Sequence, residues 1–391
     1  MRHSRIVAIA VAVVALVVVA VPAHAGTMRA ETTTPQPAPV EQWAPSRAYS
    51  AGVVVGFGGR RWRAAYPNAG YAPGADAAVG VPQGFAAGTT GGAGGRQVWV
   101  TTLTDNGPGS LRAAAATPGR LWVRFAVDGT IRLTTPVKLH ADTTIDGRGA
   151  DITIAGRGLR VEAVRNVIIT TVAFDHGSGD TTDAILVWRK AAKVWLDHLD
   201  IAGYPDEGID ISQGATDVTV SWTHIHHQDK AILIGSWGDN TSTDSPSRVT
   251  IHHTWFDHTG QRNPRAVRHS QVHAYNNYLH NWTGVGMASA NYAQLLSEAN
   301  LVAAGERDNA LSSGASGRGR APDEGYARIQ ADALTGGAQQ DERRPDEVFT
   351  PPYTVAVRPD DTALQTVVTT HAGAPNLPDD PPWVPVEDPS R

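Results

Sequence analysis

The chain has 391 residues, a formal net charge of −5 and no cysteine. Without thiols it can build neither a disulfide framework nor a thiolate metal centre, so its stability must rest on a large buried core. The mild acidity excludes a broad basic surface for nucleic acid, and any attraction for a polyanion must be local.

Taken in order, the chain opens with Arg2 and Arg5 ahead of an unbroken apolar run, Ile6–Val21, followed by Ala23-His24-Ala25 as an A-x-A cleavage site. Residues 1–25 read as the signal peptide of a secreted, extracellular protein. The run is short for a membrane span, and no other stretch could cross a bilayer. Residues 26–42 are Thr/Pro-rich and aperiodic, which reads as a linker.

Residues 43–80 change in character, with Trp43, Tyr49, Gly52, Val55, Gly59, Trp62 and Ala64 in a short β-rich stretch. The spacing W-x5-Y-x2-G-x2-V-x3-G-x2-W-x-A resembles small carbohydrate-binding modules of the chitin- and cellulose-binding type. That resemblance implies that Trp43, Tyr49 and Trp62 bind an insoluble cell-wall polysaccharide, since the C–H face of a sugar packs on a flat ring. The closing tryptophan of such modules is missing around Ala77–Val79. A cap on the next domain, with the same aromatics buried, is the other reading.

From Val81 the composition shifts again. The glycines Gly91–Gly95 lack the G-x-x-x-x-G-K-[ST] pattern of a phosphate loop and mark a turn-rich approach to a β domain. SLRAAAAT (Ser110–Thr117), stopped by Pro118-Gly119, is the best short helix. After Leu121 short apolar or alternating runs follow one another, separated by Gly, Asp and Pro. A repeat then emerges. The residues just before successive runs are Asn166, Lys193, Asp217, Arg248, Ser270 and Gln294, separated by 27, 24, 31, 22 and 24 residues. Second runs (AILVW, GIDIS, AILIG, GVGMA) lie between most of them. This period predicts an all-β fold, a right-handed parallel β-helix over residues 81–374, rather than an irregular β-sandwich. Equivalent residues then stack at about 4.8 Å, and Thr223, Thr254, Asn277 and Asn300 form one polar ladder of structural character. Phe349–Ala374 packs back along the solenoid and ends in a short helix. The Pro/Asp-rich residues 375–391 read as a disordered tail.

The chemistry concentrates between Asp183 and Asn277. Asp183 precedes AILV, Asp206 and Asp210 flank EGI, and Lys230 precedes a second AILI; the gaps 183–206 and 206–230 are 23 and 24 residues, about one coil each. Three carboxylates brought side by side repel unless a cation joins them. An oxygen-only set suits calcium, not zinc. Strict register with Asp183 and Lys230 would select Glu207 in place of Asp206, whereas the four-residue spacing before Asp210 favours Asp206.

The motifs VWLDH, DEGIDI, VTVSWTHIHHQDKAILIG, VTIHHTWFDHTGQRNPR and QVHAYNNY resemble the pectate lyase family of parallel β-helix enzymes, as do GFAAGTTGGAGG…GPGSLRAA and PPYTVAV…TTHAGA. The resemblance covers roughly Val81–Ala374. It implies calcium-dependent β-elimination of polygalacturonate, with calcium ligands on Asp183, Asp206 and Asp210. A further aspartate of some members falls on Thr181, with Asp180 beside it. The resemblance implies that Lys230 holds a substrate carboxylate, that Arg262 is the general base and that Arg268 is a second carboxylate binder. The family has five residues from the first arginine to the second where this chain has six, so either Arg268 keeps the role across a bulge or Arg265 takes part.

Elimination removes the C5 proton beside the uronate carboxylate and expels the C4 oxygen. Cations around that carboxylate make the proton more acidic. An arginine is a base only when biased toward its neutral form, which predicts alkaline activity. Hydrolysis would need a pair of carboxyl groups with one kept protonated, and these acids are crowded with cations. A pectin lyase acting on methyl-esterified chains would lack the three aspartates. A non-catalytic polyuronate-binding β-helix is the rival from another class. His224, His226, His227, His252, His253 and His258 suggest zinc, but their alternation beside Trp222 and Trp255 reads as stacked structural histidines, and Asp197-His198 as an internal hydrogen-bonded element. The expected partners are polysaccharide alone, with no nucleic acid or membrane, for a monomeric enzyme.

Overall fold

The computed structural model describes residues 42, 48–49, 53–57, 60–64, 68–69, 80–235, 246–313, 324–357, 361–374 and 383–385. The signal peptide, nearly all of the linker and Trp43 lie outside them.

The repeat predicted from the sequence is a parallel β-solenoid of about nine turns. Each coil contributes one strand to each of three parallel sheets, of ten, nine and nine strands. The first sheet carries Arg165–Thr170, Ala192–Asp197, Thr216–Ser221, Arg248–His252, Gln271–Tyr275 and Gln294–Glu298; the second carries Asp200–Ile201, His224–His226, Trp255–Asp257 and Tyr278–His280; the third carries Leu159–Glu162, Ile185–Trp188, Glu207–Ile211, Lys230–Ile234 and Arg265–Ala266. Val167, Val194, Val218, Val249, Val272 and Leu295 form one register column. The fifth run therefore starts one residue later than its sequence suggested, at Val272 instead of Gln271. All six are fully buried, and burying such side chains stabilises the fold by about 1.5–3 kcal/mol each.

From Arg165–Thr170 onward, seven successive coils turn from the first sheet to the second through one left-handed residue. Thr171, His198, Trp222, His253, Asn276, Ala299 and Ala331 all have φ between 48° and 57°. Because these corners are equivalent, their side chains stack: His198 on Trp222 at 6.0 Å and Trp222 on His253 at 4.1 Å. After the first two corners, where it is Val172 and Leu199, the next residue forms the polar ladder. Asn277 Oδ1 accepts the Thr254 N–H at 2.9 Å, Asn300 Oδ1 accepts the Asn277 N–H at 2.9 Å, and Asp332 Oδ1 accepts the Asn300 N–H at 2.8 Å. The ladder thus runs one rung beyond the expected four, into Asp332.

The glycine cluster serves close packing. A Cβ on Gly92 would lie 1.9 Å from the Leu121 carbonyl oxygen, and Asn166 Oδ1 accepts the Gly91 N–H at 2.9 Å. The short helix forms at Leu111–Ala115, with Ser110 as its N-cap accepting from the Ala113 N–H. The C-terminal segment packs back as expected. Tyr353 Oη lies 2.6 Å from Thr250 Oγ1, and the helix Asp361–His371 buries Leu364 and Val368 against Tyr278 and Leu301.

Two expectations about the flanks need correction. The tail read as disordered contains a strand, Trp383–Pro385, that pairs antiparallel with Trp62–Ala64. It completes a three-stranded sheet with the hairpin Val54–Phe57 and Arg60–Ala64, because three strands with one apolar face are stable where a lone hairpin is marginal. Trp62 is 9 % exposed and packs with Val55 and Ala64, so its ring is the hairpin's own core and not an open sugar platform. Among the described residues no helix is long and apolar enough to cross a membrane.

Candidate active site

The third sheet presents a charged column facing away from the core. In register it reads Lys138, Arg160, Leu186, Asp210, Leu233, Arg265 and Ala288. At the start of the same strands a second column brings Glu207 opposite Lys230 and Lys230 opposite Gln261. Asp183 belongs with it: its Oδ1 accepts the Glu207 N–H at 3.1 Å, and the Ala184 N–H bonds the Glu207 carbonyl. The solenoid period therefore gathers Asp183, Asp206, Glu207, Lys230 and Arg262 from four successive coils.

Their pairing is specific. Lys230 Nζ lies 2.5 Å from Asp206 Oδ1. Glu207, buried at 4 % exposure, is ion-paired instead with Arg262 on the second coil beyond it. Burial and then the charge of Asp206 push the Asp183 carboxyl well above the usual range, against the opposing pull of Arg160, Lys230 and Arg262. Burial and then neighbouring Arg265 push the Arg262 guanidinium down to about 10, although Asp206 and Asp183 favour its charged form. Arg265 is lowered by burial as well. The Asn263–Pro264 peptide between the two arginines is cis.

Asp183, Asp206 and Glu207 each place an oxygen so that all three lie within 4.8 Å of one another. These oxygen-only donors, with Asp183 short of compensating positive charge, fit a hard divalent cation. Asp210 stands apart from this trio, three positions on along its strand, about 10 Å of extended chain, and partly exposed in the outward column. Arg265 shares that column, whereas Arg268 is exposed in the turn after Val267 with φ 55°. The sequence reading missed Arg160, which acts electrostatically on Asp183. The available signal was the run LRVEA one coil ahead of AILVW. Tyr49 lies in a short strand whose side chains fall outside the described residues.

The histidines divide into two kinds. His198, His252 and His253 are buried. The Asp197 carboxylate holds His198 Nδ1 at 2.7 Å and accepts the Ser221 hydroxyl at 2.6 Å, and His252 stacks on Tyr275, its imidazole pushed down to about 3 by burial. His224 and His226 stand on the outer face of the second sheet and His258 in the turn just after its strand Trp255–Asp257, and all three are partly exposed.

Comparison with known proteins gives consistent relatives. A family model described as pectate lyase matches residues 75–319. Pectate lyase 1 of Juniperus ashei is 32 % identical over 257 residues, covering 59 % of this chain and 68 % of that protein. Probable pectate lyase 4 of Arabidopsis thaliana is 33 % identical over 234 residues, covering 57 % and 63 % respectively. Among solved structures, the major allergen from cedar pollen superposes with a TM-score of 0.65 at 26 % identity, covering 75 % of this chain and 92 % of that one. A pectate lyase from Bacillus sp. N165 in complex with trigalacturonate shares the fold at a TM-score of 0.59 and 23 % identity, covering 75 % and 98 %.

Proposed function

The chain belongs to the pectate lyase family of polysaccharide lyases, and from that premise we propose that it cleaves de-esterified polygalacturonate by calcium-dependent β-elimination with Arg262 as general base. The observation that carries this reading is the junction of Arg262 with Asp183, Asp206, Glu207 and Lys230 on one face of the solenoid.

In this reading Asp183, Asp206 and Asp210 hold calcium, and Glu207 holds Arg262. Glu207 is buried in an ion pair, whereas Asp210 is partly exposed in the outward column. When bound, calcium supplies positive charge against the uronate carboxylate. Lys230 binds that carboxylate, exchanging its present partner Asp206 for it. Arg265 and Arg268 anchor carboxylates of neighbouring sugars through their forked donors. Arg262, neutral in a fraction that grows with pH, takes the C5 proton. The C5–H electron pair becomes the C4–C5 double bond, the C4–O bond breaks, and the leaving oxygen takes a proton from water. Export of the enzyme by the leader Met1–Ala25 to an extracellular polymer, and action as a monomer, complete the proposal. Attachment of the flanking module to insoluble polysaccharide is assigned to Trp43 and Tyr49, not to the buried Trp62.

Incubation with polygalacturonate and calcium at alkaline pH tests it. The ultraviolet absorbance of the unsaturated product should rise, and chelator should abolish the rise. Saturable binding of the polymer with no unsaturated product would establish the non-catalytic alternative.

A further inference from the structure

The outer face of the second sheet carries a set of groups that the lyase reaction does not use. Asp257 and His280 are register partners on adjacent coils, and His258 follows Asp257 directly. A single carboxylate oxygen, Asp257 Oδ1, lies 2.6 Å from His258 Nδ1 and 2.9 Å from His280 Nδ1. The other oxygen, Oδ2, lies 3.7 Å from Nε2 of His224, a buried nitrogen with no hydrogen bond among the described residues. Ordinary structural histidine pairs set one imidazole against one carboxylate oxygen. Here one carboxylate stands among three imidazole nitrogens.

His258 and His280 are nearly perpendicular, at 86°, with centroids 5.0 Å apart, and their Nδ1 atoms converge on the same oxygen. Each also stacks on a neighbouring ring, His258 on His227 at 7° and His280 on Tyr278 at 22°. The structural pair His252 and His253 is crossed in the same way, at 89°, but is closed to solvent. Two rings can share an ion in both their planes when they are crossed, but not when they are stacked face to face. The side chains are 46 % and 37 % exposed, so an ion and its water have access. One ligand atom from each of Asp257, His258 and His280 lies within 4.8 Å of the others.

We propose that Asp257, His258 and His280 form a second metal site, for a zinc-class divalent transition ion. Two imidazole nitrogens and one carboxylate oxygen are the donors of three-ligand zinc sites that leave a fourth position to water. Imidazole selects zinc, nickel or copper over calcium, so the site is chemically distinct from the oxygen-only groove. An ion there joins the coil of Asp257 to the coil of His280 and stabilises the folded chain by mass action.

Zinc binding to the calcium-saturated full chain tests this by titration calorimetry, with the thermal midpoint as a second measure. We expect one zinc equivalent and a raised midpoint. His258→Ala and His280→Ala should each weaken zinc at least about tenfold, abolish the midpoint shift, and leave turnover and calcium affinity unchanged. Both residues are exposed, and the more conservative His280→Gln serves as a second variant. Absence of saturable zinc binding would overturn the site and leave plain histidine–aspartate pairs. So would zinc binding that survives all three variants, or that is lost in Asp183→Asn, which would place the ion elsewhere.

Discussion

Glu207 faces Lys230 across the strand ladder but pairs with Arg262, one coil further on. Lys230 in turn pairs with Asp206. Two acids adjacent in sequence thus hold cations from two successive coils, and Arg262, the proposed base, is held by a buried carboxylate.

Arg262→Ala should lower turnover on polygalacturonate by about two to four orders of magnitude, the usual contribution of a positioned base. Calcium affinity by calorimetry should stay within about twofold, since Arg262 supplies no oxygen donor. Retained turnover would remove Arg262 from the base role.

The rate should climb with pH up to about 10, because burial and Arg265 lower the Arg262 guanidinium to that value and the neutral fraction grows about tenfold per pH unit below it. Glu207→Gln removes an anion that favours the charged guanidinium. The lowered pKa should then move the alkaline rise toward neutral pH. A pH–rate profile unchanged in that variant would break the link between the pair and the base.

Calcium titrations of Asp210→Asn and Glu207→Gln separate the two assignments of the third ligand. Asp210→Asn should weaken calcium at least about tenfold, as loss of a charged ligand does, and Glu207→Gln should weaken it less. The reverse order would make Glu207 the ligand.

Asp183 should cost stability when chelator is present. Its folded pKa is raised by burial and Asp206, so its contribution is full below the unfolded value of about 4 and is lost as pH rises through the folded value. Melting curves in chelator should fall over that range for the wild type and stay flatter for Asp183→Asn, which melts higher at pH 8. Calcium should raise the wild-type midpoint and leave that of the variant nearly unmoved.

Asn277→Ala should destabilise the solenoid by about 2–4 kcal/mol in urea unfolding, since it strands the buried Thr254 N–H and the Ile251 carbonyl. A loss below about 1 kcal/mol would mean that the ladder is dispensable.

Much of the fold was legible because a solenoid repeats its constraints. The valine column and the Thr254–Asn277–Asn300 ladder recur at coil spacing, and a period can be read without coordinates. Asp183, Asp206 and Lys230 were legible for the same reason. Pair choice was not. Whether Lys230 takes Asp206 or Glu207 depends on how the chain bends into the third sheet, a local geometry that spacing does not encode. The ladder's extension to Asp332 escaped because an aspartate there breaks the Thr/Asn pattern. Trp62 looked like a sugar platform because a buried and an exposed tryptophan read alike, and its burial comes from packing on Val55 and Ala64 within the hairpin, which sequence spacing does not show.

The strand Trp383–Pro385 changes the parsing of the chain. With it laid beside Trp62–Ala64, the small sheet is assembled from segments on both sides of the solenoid, and the lyase region is in effect an insertion within it. A single cut cannot lift the module out as a cassette. Grafting it onto another enzyme would require splicing both segments around the recipient, and a fusion placed after Pro385 would sit next to the module's own third strand.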